Sequence, residues 1–393
     1  MTRKKETELP KNNLKADLFG QNLTAPKTFG IKYAGSKLKI LPHIANILQD
    51  YIYSGEIKTV LDGFSGSTRC SQAFASWGLT VHSNDIASYS RVLAECFLQN
   101  TKPRSFYEPI VEHLNNLTPI DGWFSQHYGG TEDEIKKPFQ LKNTQKVDTI
   151  RQEIDKIIDK QKLGNIEKSV LLTSLMLALD EVDSTLGHFS AYLKTWSKRS
   201  FKDLWLTTPI LQNSYDKKAT KHQVSQEDIF KLVQNQSWDL AYFDPPYGSG
   251  NVKMPPSRVR YQAYYHFWNS LILNDQPELF GVNQRRLDSK DAVSNNIFEE
   301  FRRDQNGDFL AIKAVKELIL QTQAKYILLS YNSGNPLANE QLWSFLNSNP
   351  AYKLVKTLEI DYRKNVMSKM TSTQKWLPSE TKYVEFLFLL QKR

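Results

Sequence analysis

A chain of 393 residues, 40% hydrophobic and 12% aromatic, can bury one large core or two ordinary ones, which excludes a wholly disordered protein. Its 51 lysines and arginines against 42 acids, a formal charge of +9, favour a polyanionic partner without requiring one. Two cysteines without metal-ligand spacing argue against a disulfide framework or structural zinc, and no apolar run approaches the ~20 residues that cross a bilayer, so a cytoplasmic protein without a membrane partner is expected.

Residues 1–28 are polar and aperiodic, with lysines in excess, and read as a flexible basic arm. Next comes Lys32-Tyr33-Ala34-Gly35-Ser36-Lys37, followed by a predicted helix over 37–51 with Leu38, Leu41, Ile44, Ile47 and Leu48 at helical spacing. Small residues before a helix let its first amides face a carboxylate. Residues 59–62 form a predicted strand, Gly63 and Gly66 a turn, 68–77 a helix, and 79–83 a second strand ended by Asn84-Asp85. Strand, glycine turn, helix, strand and acid make a nucleotide-type βαβ unit, in which the acid can accept ribose hydroxyls. The turn is not G-x-G-x-x-G, which disfavours a dinucleotide.

Between 101 and 147 no period is clear; helices are then predicted over 148–159 and 167–198. We read 101–235 as a mainly helical insertion. The sheet resumes at Trp238, with helices expected near 264–273 and 308–323 and strands at 326–331 and 383–390. Alternating strands and helices on both sides of the insertion indicate one doubly wound α/β domain.

The apolar strand 238–243 runs into Asp244-Pro245-Pro246-Tyr247, at the strand end where open α/β sheets hold their ligands. The four residues combine an acceptor carboxylate, a carbonyl on a residue of fixed φ and an aromatic face, which suits a planar amino-bearing ring. The exocyclic amine of such a ring is a poor nucleophile because its lone pair delocalises into the ring. Asp244 accepting one amine N–H and the Pro245 carbonyl the other would favour a pyramidal nitrogen, with Tyr247 stacked on the ring. No metal is needed for such an amine to attack an electrophile. On its own the quartet is equally consistent with a turn.

In chain order these pieces resemble the N6-adenine DNA methyltransferases of the Dam-like, D12 type: K-[WY]-A-G-x-K, then F-x-G-x-G, an acid, a target-recognition insertion and D-P-P-Y. The resemblance implies a Rossmann-like class I S-adenosylmethionine-dependent methyltransferase, with a doubly wound, mostly parallel sheet in a catalytic domain built from 29–100 and 236–393, and 101–235 as the recognition insertion. Lys32, Tyr33, Ala34 and Lys37 would line the methionine end of S-adenosylmethionine. Asp62, Phe64, Ser65, Gly66 and Ser67 would wrap its methionine and ribose, with Asp85 on the ribose hydroxyls and Asp244 beside the cofactor. Thr68 stands where the family often has its second glycine.

The implied substrate is double-stranded DNA, with the adenine flipped out of the duplex; whether a cognate restriction endonuclease acts as a separate partner stays open. Lys253, Arg258, Arg260 and Tyr264 follow the quartet as basic residues among aromatics, and Lys198, Arg199 and Lys202 form a basic stretch in the insertion; both suit phosphate contact or, equally, solvated faces. His188 and His266 read as packed histidines rather than general bases. Cytosine N4 or RNA adenine as the acceptor, and a non-catalytic DNA-binding relative, stay open.

Overall fold

The structure, a computed structural model, describes residues 23–133, 137–209, 221–246, 261–290, 296–300, 302–332, 336–362 and 383–393. Among these residues seven strands form the central sheet: β1 (Thr59–Asp62), β2 (Thr80–Asn84), β3 (Gln223–Ser225), β4 (Trp238–Phe243), β5 (Ala324–Asn332), β6 (Tyr352–Tyr362) and β7 (Tyr383–Lys392). Their order is β3-β2-β1-β4-β5-β7-β6. The first five pair in parallel, and β7 is antiparallel to both β5 and β6.

Side-chain alternation assigns the central strands to two cores at once. Val60, Leu240, Tyr242 and Leu328 point to one face, and Leu61, Ala241, Phe243 and Leu329 to the other. A sheet buried on both faces reads as a continuous apolar run, which is what Trp238–Phe243 displays. Helices α1 (Leu41–Tyr53) and α2 (Arg69–Ser76) cover the first face through Ile44, Leu48 and Phe74.

The insertion helices α4 (Arg104–Asn115), α5 (Trp123–Tyr128), α6 (Leu141–Gln161) and α7 (Asn165–Val182) build a third core together with α3 (Ser88–Ala94), which precedes them. Helix α4 escaped the sequence reading because Pro109 lies inside it, yet Tyr107, Ile110, Val111 and Leu114 keep a buried stripe. Helix α7 stops at Val182, well short of the predicted 198, because Asp183 turns extended and Thr185 and Gly187 begin irregular chain.

The sheet resumes earlier than residue 236. β3 pairs in parallel with β2, and α8 (Ile229–Asn235) packs on the second face, so both belong to the sheet rather than to the insertion. Helices α9 (Tyr261–Tyr264) and α10 (His266–Leu273) then join the insertion core, while α11 (Leu310–Gln321) and α12 (Pro336–Ser348) complete the second face.

Arg151, buried within α6, donates through Nε to the Leu271 carbonyl (2.8 Å) and through Nη2 to that of Ile272 (3.1 Å), and pairs with Asp155 at 2.7 Å. A cation on the last carbonyls of α10 satisfies groups the helix itself leaves open. It also ties the insertion to the segment that follows the quartet. Cys70 and Cys96 are buried free thiols. No helix among the described residues is long and apolar enough to cross a membrane.

Candidate active site

Three acids mark the carboxyl ends of three neighbouring parallel strands: Asp85 after β2, Asp62 at the end of β1 and Asp244 after β4. Parallel strands bring their carboxyl ends to one edge, so residues distant in sequence converge there. A cavity of about 430 Å³ opens at this edge, within the roughly 300–1,000 Å³ range of small-molecule clefts. Asp244, Pro245 and Pro246 line it together with Tyr33, Phe64 and Asp85. Tyr247, Lys253, Arg258 and Arg260 lie outside the described residues.

The glycine turn forms one wall. Gly66 has φ +48°, and a Cβ there would come within 2.9 Å of the Tyr33 ring. Its amide donates to Asp85 Oδ2 (2.8 Å), and the Ala87 amide donates to Oδ1 (2.9 Å). Burial raises the Asp85 carboxyl above its usual range, against these two amides. Ser65 bonds to Ser90 (2.9 Å), and both Ser65 and Ser67 are buried in the turn rather than in the cavity lining. Thr68 adopts φ +62°, the left-handed conformation that favours glycine. A β-branched residue there costs on the order of 1–2 kcal/mol, offset in part by Gln72 donating to the Thr68 hydroxyl at 3.0 Å.

Asp62 is more deeply set. Its Oδ2 accepts from the Ser71 hydroxyl (2.6 Å), and its Oδ1 is buried with no hydrogen-bond partner among the described residues. Burial, with Asp244 and Asp85 nearby, pushes its carboxyl up to about 7. An orphaned acidic oxygen beside a cavity is a site waiting for a donor.

The 32–37 segment divides its duties. Tyr33 stacks on Tyr265 (4.6 Å between centroids, 14° between planes) and packs near Tyr261 and Tyr89. The Ala34 amide donates to the Tyr265 hydroxyl (2.6 Å), and the Tyr261 hydroxyl donates to the Ala34 carbonyl (3.1 Å). Lys32 turns to the insertion, with Nζ 3.0 Å from Asp183 Oδ1 and bonded to the Asp180 carbonyl. Lys37, 7% exposed, lies 2.9 Å from Asp244 and 3.0 Å from Glu385. Burial alone would lower its ammonium pKa, but the two carboxylates hold it above the ordinary value. Neither lysine lines the cavity.

Sequence reasoning missed the opposite wall. Phe298 packs edge-on to Phe64 (5.0 Å) and stacks on Phe230 (5.6 Å, 7°). Asp228, whose carboxylate caps α8 by accepting from the Phe230 and Lys231 amides, also lines the cavity, as does Glu299. The signal for Asp228 was an acid before a helix after a strand, hidden because β3 has only three residues.

Of the basic candidates, Lys198 and Lys202 are exposed. Arg199 is bound inward, from Nε to Asp183 Oδ1 (2.9 Å) and from Nη2 to the Thr185 carbonyl (3.1 Å). Tyr264 is half-buried and stacks on His188 at 4.4 Å. Burial lowers His188 to about 4 and His266 to about 3, so both are neutral near pH 7. Arg286 is buried against Asp275 and Asp288, both at 2.8 Å or less.

A family model described as D12 class N6 adenine-specific DNA methyltransferase matches residues 33–333. The chain is 29% identical to the modification methylase StsI of Streptococcus sanguinis, over 92% of this chain and 52% of that protein. It is 26% identical to the Type II methyltransferase M.NlaIII of Neisseria lactamica, over 92% and 99% respectively. To the Type II methyltransferase M.FokI of Planomicrobium okeanokoites it is 26% identical, over 92% and 53%. The chain therefore spans about half the length of the first and third, and nearly all of the second.

Proposed function

The chain belongs to the D12 class N6 adenine-specific DNA methyltransferases, and from that premise we propose that the cavity at the carboxyl edge is where S-adenosylmethionine and a flipped adenine meet. The observation that carries this is that Asp244-Pro245-Pro246 and the Phe64–Asp85 wall line one cavity. The strand order β3-β2-β1-β4-β5-β7-β6 with a reversed β7 supports a Rossmann-like class I fold as its frame.

The residues fit the cofactor's chemistry. Its ammonium and sulfonium suit an acidic edge, and the orphaned Oδ1 of Asp62 supplies an acceptor. Asp85 retains lone pairs for ribose hydroxyls, and Phe64, Phe230 and Phe298 offer apolar faces for a purine. When bound, S-adenosylmethionine supplies an electrophilic methyl. The protein's part is to hold the amine: Asp244 accepts one N6–H, the Pro245 carbonyl the other, and Tyr247 stacks on the ring. Positioning and local dipoles then favour in-line attack. Flipping the base costs a few kcal/mol, which DNA contacts repay.

The turn tests the cofactor reading. In Gly66→Ala the left-handed backbone costs about 1–2 kcal/mol, and the new methyl displaces Tyr33. Calorimetric titration should show S-adenosylmethionine binding weakened by about tenfold or more.

DNA contact is assigned to exposed Lys198 and Lys202. Their double replacement by alanine should weaken binding evenly across sequences and flatten the log K against log salt slope by about two. An unchanged slope would remove them from the interface. We further propose a modification enzyme acting in the cytoplasm beside a separate restriction endonuclease; the names modification methylase and Type II methyltransferase of its relatives support the modification role.

The decisive experiment is transfer of labelled methyl from S-adenosylmethionine to duplex DNA, followed by nucleoside analysis. N6-methyladenine as the product supports the reading; N4-methylcytosine, or label only in RNA, overturns it.

A further inference from the structure

The buried ion pair behind Asp244 extends one residue further than the family motif. Lys37 Nζ is shared between Asp244 Oδ1 (2.9 Å) and Glu385 Oε1 (3.0 Å). Glu385 sits near the start of β7, 5% exposed, and Oε1 also accepts from the Ser330 hydroxyl on β5 at 2.5 Å. Topology explains the meeting. β7 runs antiparallel to β5, so its amino end lies at the carboxyl edge of the parallel strands, where Asp244 emerges from β4. Ladder pairing on both sides, to Asn332 and to Ile360, fixes the backbone of Glu385.

An ammonium facing Asp244 alone would draw on that carboxylate's negative charge and blunt it as an acceptor for an amine hydrogen. A second carboxylate on the same ammonium divides the positive charge. We propose that Glu385 is a positioning residue: through Lys37 it sets the orientation of Asp244 and keeps it a charged acceptor for the adenine amine. The proposal rests on the assignment of Asp244 to N6.

A buried ion pair could instead serve only to staple the turn before α1 to the sheet. Kinetics separates the two. Glu385→Gln keeps an oxygen for the Lys37 ammonium and removes the charge. Its kcat for DNA methylation should fall about 10- to 100-fold, the worth of a charge-assisted hydrogen bond. The S-adenosylmethionine Kd should stay within twofold of wild type, since Glu385 does not line the cavity. In a Lys37→Met background the same change should cost less than twofold, because the route to Asp244 is already cut. A kcat within twofold of wild type at a temperature where the variant is folded overturns the proposal. So does a loss confined to cofactor Kd or DNA KM, or one that persists undiminished in the Lys37→Met background.

If Glu385→Gln does not fold, Ser330→Ala decides by the milder route: about a three- to tenfold loss of kcat supports the proposal, and an unchanged kcat overturns it. Failure of the parent reading is visible separately, as a wild-type enzyme that makes no N6-methyladenine.

Discussion

Asp244→Ala is expected to lower kcat for DNA methylation by about 10²–10³-fold, the scale of removing one preorganised polar partner from a reacting centre. Asp244→Asn should do no better, although it preserves shape. Lys37 has only donors, so an asparagine at 244 must turn its amide oxygen toward that ammonium, 2.9 Å away in the native enzyme. Its NH₂ then points where the adenine amine must arrive, and two donors meet. Cofactor affinity should change by less than about tenfold in either variant, because Asp244 is one contributor among several acids at this edge. The measurement is single-turnover transfer of labelled methyl, with cofactor binding followed by calorimetry. Transfer by either variant within tenfold of wild type would refute the role given to Asp244.

The Lys37–Asp244 contact that decides the asparagine variant has no signature in one-dimensional pattern. Asp244 itself was legible: the run Trp238–Phe243 is apolar because β4 is buried on both faces, and such a strand ends where ligands bind. Asp85 was legible for a related reason, being an acid just after the second strand of a βαβ unit. Lys37 was visible only as a basic residue before a helix. Its partner Glu385 reaches it because the last strand reverses, a property of sheet order rather than of local pattern.

Other misses have equally local causes. β3 has three residues, too few to show alternation, and its loss hid Asp228 and Phe230 behind it. A proline disguised α4. Arg199 carries the charge expected of a phosphate contact but spends it on the buried Asp183 and the Thr185 carbonyl, which composition cannot reveal. Thr68 is a departure in identity but not in backbone: φ +62° is the conformation a glycine there would supply.

Asp62 combines cost and use, and Asp62→Asn should expose both. In the folded protein its carboxyl titrates near 7, pushed up by burial and by the charges of Asp244 and Asp85, against about 3.9 in an unfolded chain. Between those values the folded state holds a proton that the unfolded state has released. Stability therefore falls as pH rises from about 4 to about 7, by up to about 4 kcal/mol from this group alone, and stays low above that. Asparagine carries no such titration and can still accept from Ser71. The cofactor-free variant should accordingly be more stable than wild type at pH 8, with the difference shrinking toward pH 4, as read from denaturant midpoints. The same change removes the negative partner proposed for the cofactor's ammonium, so its Kd should rise about 10- to 100-fold. In the wild type a cation bound beside Asp62 would favour its ionised form, so affinity should fall as pH drops below 7, releasing protons on binding; the variant should lack that proton release. A variant that binds the cofactor as tightly as wild type would place the ammonium elsewhere, and equal stabilities at pH 8 would mean that Asp62 is not strained in the free protein.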